Sequence, residues 1–202
     1  MVGHRRGLLG LSLGVVLIVW LLFQGCTTGI EPSPHPGILR VVLQSDPADT
    51  SILIVKQTFT VGEGDAFEVT VFQGRAYSDT TYGILFPTTE SYREEQRSYN
   101  ILERENDTYK AFVIFESHLP PGRYDSLQFG ISAKLLKIGD IEVPVEIPQG
   151  VQPFVNLAVG FRVEEDRTTE VDVQLKPLES VHRYRDTYRF IPQVEVVGTK
   201  NF

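Results

Sequence analysis

The chain has 202 residues, with 26 acidic against 19 basic side chains and a net charge of −7. That surplus of negative charge excludes docking on nucleic-acid phosphates, which it would repel, and gives no electrostatic hold on anionic headgroups. A single cysteine, Cys26, excludes an internal disulfide and any cysteine-built metal centre.

The first 26 residues have three parts. His4, Arg5 and Arg6 form a positive start, Gly7 to Phe23 is an uncharged run of apolar and small residues, and Gln24-Gly25-Cys26 precedes polar Thr27 and Thr28. This order describes a secretory signal. The basic start stays in the cytoplasm while the apolar run enters the bilayer, so the remainder of the chain is delivered to the other side. Leu22-Phe23-Gln24-Gly25-Cys26 resembles a bacterial lipobox, in which a cysteine behind a small residue is acylated and becomes the new N-terminus. Cys26 is therefore the expected lipid-attachment residue, and the membrane its first expected partner. An uncleaved anchor over residues 7–23 is the alternative, since about 17 residues is the lower limit of a spanning helix; cleavage elsewhere, with release, is another. Thr27, rather than an aspartate, stands after the cysteine, which points to the outer membrane in a two-membrane cell.

Removing residues 1–25 leaves 177 residues, 17 of them basic and 26 acidic, for a net charge of −9. That length suits one domain with its own core. Residues 26–36 carry three prolines and few apolar groups, so they read as a tether. Extended, about 11 residues reach roughly 36–40 Å.

From residue 37 to 198 the pattern predicts one all-β domain, an antiparallel sandwich or partly open barrel of about nine to ten strands. Gly37–Gln44 is β-branched and ends in the turn Ser45-Asp46-Pro47-Ala48-Asp49. One strand is expected over Ser51–Val61, then the turn Gly62-Glu63-Gly64-Asp65. Phe67 to Val71 alternates strictly, as a half-buried strand does. Residues 78–96 are irregular, and Ser91-Tyr92-Arg93-Glu94 has capping-box spacing that predicts one short helix. Further strands are expected at Tyr99–Glu103, Tyr109–Phe115 and Ser126–Ala133, with a turn at Asn106-Asp107 and a tight loop at Leu119–Tyr124. Asp140–Ile147 alternates, and Pro144 predicts an edge strand. Val155–Val163 and Thr169–Leu175 flank Glu164-Glu165-Asp166-Arg167, read as a hairpin turn, and a last strand is expected over Tyr188–Val197.

The order of three pieces carries a family resemblance: Gly37-Ile38-Leu39 through Asp46-Pro47-Ala48-Asp49, the loop Leu119-Pro120-Pro121-Gly122-Arg123-Tyr124, and Ser180-Val181-His182 through Ile191-Pro192-Gln193 to Val197. Together they resemble the bacterial lipoprotein family that carries domain of unknown function 4382. Residues 78–109 depart from that pattern and read as an insertion. The resemblance implies an extracytoplasmic β-domain and no particular activity.

No catalytic residue is assigned. No Gly-x-Ser-x-Gly elbow occurs, and His118 and His182 stand alone, without ligand or triad spacing. Asp46 with Asp49, or Glu164, Glu165 and Asp166, offer carboxylates to calcium, but neither set has the spacing of a known loop. Turn chemistry and a solvated tip are the plainer readings, so no metal and no cofactor are expected. With 26 acids in the chain, chance proximity empties any glycosidase-like pair of meaning. The tyrosines stand out more. Tyr82, Tyr92, Tyr99 and Tyr109 lie in or beside the irregular stretch, and Tyr184 and Tyr188 are interleaved with Arg183 and Arg185. Tyrosine and arginine are enriched where proteins touch partners, and tyrosine faces stack on sugars. These six are the candidate contact residues for a glycan or an envelope protein. The plainer reading is that several cap the core or pair across strands. The expected role is a non-catalytic envelope lipoprotein: a glycan- or peptide-binding module, or a structural piece of a surface assembly.

Overall fold

The computed structural model describes residues 33–79 and 81–202; the expected signal segment, Cys26 and most of the tether lie outside the described residues. Pro34–Phe202 forms one unit. Among the described residues there are sixteen strands and no helix, so the all-β expectation holds.

Strand β1 (Gly37–Ser45) alternates inward Leu39, Val41 and Leu43, all fully buried, with outward Arg40, Val42 and Gln44. Strands β2 (Ser51–Ile54) and β3 (Gln57–Thr60) form a small hairpin. The long β4 (Ala66–Tyr77) precedes the short strands β5 (Tyr82–Leu85), β6 (Arg97–Asn100), β7 (Arg104–Glu105) and β8 (Thr108–Tyr109). Next in the chain are β9 (Phe112–Leu119), β10 (Gly122–Ile138), β11 (Ile141–Glu146), β12 (Phe154–Val163) and β13 (Thr168–Leu175). Strands β14 (Val181–Tyr184), β15 (Thr187–Phe190) and β16 (Val194–Asn201) end the chain.

These strands build two main sheets around one apolar core, in the manner of a sandwich. The first has the order β16-β13-β1-β9, with β1 parallel to β13 and antiparallel to β9. Its outer face carries a charge ladder. Arg40 reaches Glu116 at 2.8 Å and Glu170 at 3.6 Å, and Lys200 reaches Asp172 at 2.7 Å and Glu170 at 3.6 Å. Such half-buried surface pairs add modest stability each, yet opposite charges side by side favour this register over its neighbours.

The second sheet runs β14-β15-β11-β10-β4-β5, with β12 also on β10 and β6 also on β4. Strand β10 is 17 residues long and serves two neighbours on one side. Strand β12 pairs from Gly122↔Val163 to Gly130↔Phe154, and β11 from Leu135↔Pro144 to Ile138↔Ile141. A bulge bends the β4–β10 ribbon beside the end of β12, where Gln73 takes a φ of 50° and the register slips between Gln128 and Gly130. Only glycine suits the bend. A Cβ on Gly130 would overlap the Phe72 ring, and one on Gly74 would lie 2.7 Å from the Phe115 ring. The bend lets Phe115 of β9 approach Phe129 of β10 across the sandwich, with ring centroids 6.1 Å apart.

Several expectations are corrected. Ser51–Val61 is not one strand but the β2–β3 hairpin. Ser91 starts no helix: its N–H donates to Thr88 O in a turn, and the polar residues after it offer no apolar stripe to bury. At the Leu119–Tyr124 loop, the strands are interrupted only at Pro120-Pro121. Glu164–Arg167 does not close a hairpin, since β12 and β13 belong to different sheets and this turn crosses between them. Pro144 lies in β11, which has β10 on one side and β15 on the other, although β15 covers only Val145 and Glu146. The expected last strand, Tyr188–Val197, breaks at Ile191-Pro192-Gln193, where proline lacks an N–H and the flanking N–H groups go to Ser180. Strand β16 then extends to Asn201, past the expected boundary at 198. The end of the expected tether is held, because His35 N donates to Glu165 Oε1 at 2.8 Å.

Candidate functional site

The six candidate tyrosines do not share a surface. Tyr109 is buried, with its hydroxyl donating to Asp49 O at 3.3 Å and Arg104 over its ring at 4.9 Å. It is a core residue and offers a ligand nothing. Tyr99 is half-buried on β6 against Phe112, at a centroid distance of 5.2 Å, and burial raises its hydroxyl pKa. Tyr82 is exposed on β5 beside Tyr77, with Arg75 at 5.4 Å from its ring centroid. Tyr92 is the most exposed, at 83 %, in the turn between β5 and β6. Tyr184 lies under the guanidinium of Arg189 at 3.6 Å. Arginine thus does pair with tyrosine here, but within the fold, where each contact contributes about 0.5–1 kcal/mol at exposed sites.

Tyr188 lines a concavity. A cleft of about 390 Å³ opens between the β2–β3 tip (Ile54 and Val55), the start of β11 (Ile141 to Pro144, with Glu146 beyond), and Asp186, Thr187 and Tyr188 of the last hairpin. A second hollow, about 500 Å³, lies beside the same tip and is lined by Ile54, Val55, Lys56, Gln57, Phe59 and Ile141. Both volumes fall in the range of ligand pockets. Sequence reasoning missed the cleft because its walls come from three segments far apart in the chain. The one available signal was apolar Leu53 and Val55 in a strand also rich in polar residues; they are 62 % and 59 % exposed.

The tip itself is strained. Val55 has a φ of 56°, and Lys56 N donates to Ile54 O at 2.8 Å, a three-residue turn with positive φ at its centre. A β-branched residue there costs on the order of 1–3 kcal/mol. The arrangement is held across the cleft, where Val55 N donates to the Tyr188 hydroxyl at 3.0 Å.

The acidic groups divide by role. Asp46 Oδ1 accepts from Ala48 N at 2.9 Å, an Asx turn. Buried Asp49 accepts from Leu178 N at 2.6 Å and Glu179 N at 3.1 Å; burial raises its pKa, while the two N–H groups pull it back down. Glu164 pairs with Arg167 at 3.1 Å. Glu165 and Asp166 meet His35, with Nδ1 3.5 Å from Asp166 Oδ1, and all three side chains are exposed. Both carboxylate sets therefore have hydrogen-bond or ion-pair partners within the chain. His118 and His182 stand on different strands, β9 and β14, both exposed. Cys26 lies outside the described residues.

Comparison with family models, curated proteins and solved structures gave no match to this chain.

Proposed function

We propose that the chain is an extracytoplasmic lipoprotein, anchored through Cys26, whose β-domain holds a ligand or partner in the cleft around Val55, Ile141 and Tyr188 rather than catalysing a reaction. The cleft is the observation that supports this most. It gathers exposed Val55, half-buried Ile141, a strained turn and a strand stretch left open on one side, the combination expected of a recognition surface. The address rests on the sequence: basic start, apolar run and a lone cysteine behind a glycine. Thr27 after the cysteine favours outer-membrane delivery if the cell has two membranes.

Labelled palmitate tests the anchor, with wild type compared to Cys26→Ala and mass spectrometry of the mature N-terminus. Label that disappears in the variant, with Cys26 as the first residue, is the expected result. An unlabelled chain that keeps Met1 refutes it. A structural role in a surface assembly is the second reading, favoured by the open part of β11.

A further inference from the structure

We infer that the cleft takes an extended peptide carrying a lysine or arginine, laid along the open part of β11; this rests on the cleft being the binding site proposed above. The backbone argument comes first. Strand β15 pairs with β11 only at Val145 and Glu146, so among the described residues Ile141–Pro144 has no strand partner on that side. The β10–β11 hairpin closes through Gly139 and Asp140, with Ile138 opposite Ile141. In an antiparallel pair the bonding direction alternates from residue to residue. Ile141 and Val143 therefore bond inward to β10, while Glu142 and Pro144 face outward. Pro144 has no N–H to leave unpaired, and β15 begins to cover β11 just beyond it. Glu142 presents both its N–H and its C=O to the cleft, which an added strand satisfies.

The side chains then select the occupant. Exposed Val55 and half-buried Ile141, backed by buried Ile54, give apolar contact to the side chains of a strand laid here. Glu142, Glu146 and Asp186 also line the cleft, and none of them joins an ion pair among the described residues. Lys56 lies in the second hollow beside the tip, not in this lining. The lining holds three acids and no base, and Lys137 opposite Glu142 and Arg189 opposite Glu146 close no ion pair with them, so the cleft favours a basic guest. A sugar is disfavoured by the lining: its one aromatic ring is Tyr188, whose hydroxyl already accepts from Val55 N.

The test uses the full chain in detergent micelles, with isoleucine and valine methyls carbon-13 labelled. Four probes are titrated: acetyl-Thr-Val-Lys-Val-Thr-amide, its Glu-for-Lys counterpart, the Lys peptide methylated on its valine amides, and a neutral linear hexasaccharide. The Lys peptide should shift the methyls of Ile54, Val55 and Ile141 saturably, with the Glu and methylated peptides each about tenfold weaker or worse. The double variant Glu142→Lys/Glu146→Lys should prefer the Glu peptide. Equal binding of the Lys and Glu peptides, or shifts with the saccharide alone, overturns the inference and leaves a binding cleft standing. Silence of these methyls with all four probes overturns the inference and the cleft reading together.

Discussion

Asp49 closes the turn after β1, and its removal should be costly for a countable reason. One carboxylate oxygen accepts both Leu178 N and Glu179 N, tying this turn to the segment after β13, about 130 residues away. Asp49→Ala leaves two N–H groups without a partner, that of Leu178 in a buried place and that of Glu179 in a half-buried one. At about 1–3 kcal/mol for each unsatisfied group, the loss should be about 2–6 kcal/mol. Asp49→Asn keeps an oxygen acceptor in the same position, so it should lose at least about 1 kcal/mol less. Urea unfolding of the two variants and wild type measures both, with m unchanged if only the native state is affected. The pH dependence gives a second check. Burial raises the Asp49 pKa above the usual aspartate value. A raised pKa means its contribution is fully present below the unfolded-state pKa and is lost as pH rises through the folded-state one. Asparagine does not titrate, so any advantage of wild type over Asp49→Asn should shrink as pH rises from the acid range towards neutral. A loss below about 1 kcal/mol for alanine, or an advantage that grows with pH, refutes the reasoning.

Two substitutions test the bend and the tip. Gly130→Ala sets a Cβ against the Phe72 ring, and overpacking of this kind costs about 1–3 kcal/mol; thermal unfolding should fall by several degrees and recover in part when Phe72→Leu is added. Val55→Gly removes the positive-φ strain at the β2–β3 tip and should raise stability by about 0.5–1 kcal/mol despite the more flexible unfolded chain. A lower thermal midpoint for that variant would show that the turn is not strained.

Alternation made much of this fold readable. Strands β1, β11, β12 and β13 bury every second residue over most of their length, and that period is visible without any structure. The Asn106-Asp107 turn was readable too, because both residues take positive φ, as asparagine and aspartate tolerate. Tertiary context hid the rest. Val55-Lys56 carries no turn-forming residue, so the hairpin there looked like continuous strand. Glu164–Arg167 has the composition of a tip, and composition does not say which sheet the chain enters next. Tyr109 looked like a contact tyrosine because it lies beside the irregular stretch, yet Asp49 O gave its hydroxyl a partner inside. The cleft left almost no local trace, since its surfaces meet only when residues 54–55, 141–146 and 186–188 come together.

The parallel pairing of β1 with β13 sets an order of events. Ile38 lies opposite Thr168, so the first strand of the domain waits for one of the last. Such distant pairing is slow, because a long loop must close before any contact rewards it. A chain delivered N-terminus first, from a ribosome or through a membrane channel, cannot close the sandwich until nearly all of it has emerged. Until then β1 has only β9 to pair with, and its other edge is open to any passing strand. A partner that occupied that edge would act as a chaperone for this fold, and a truncation before Thr168 would leave a species prone to aggregate rather than a smaller domain.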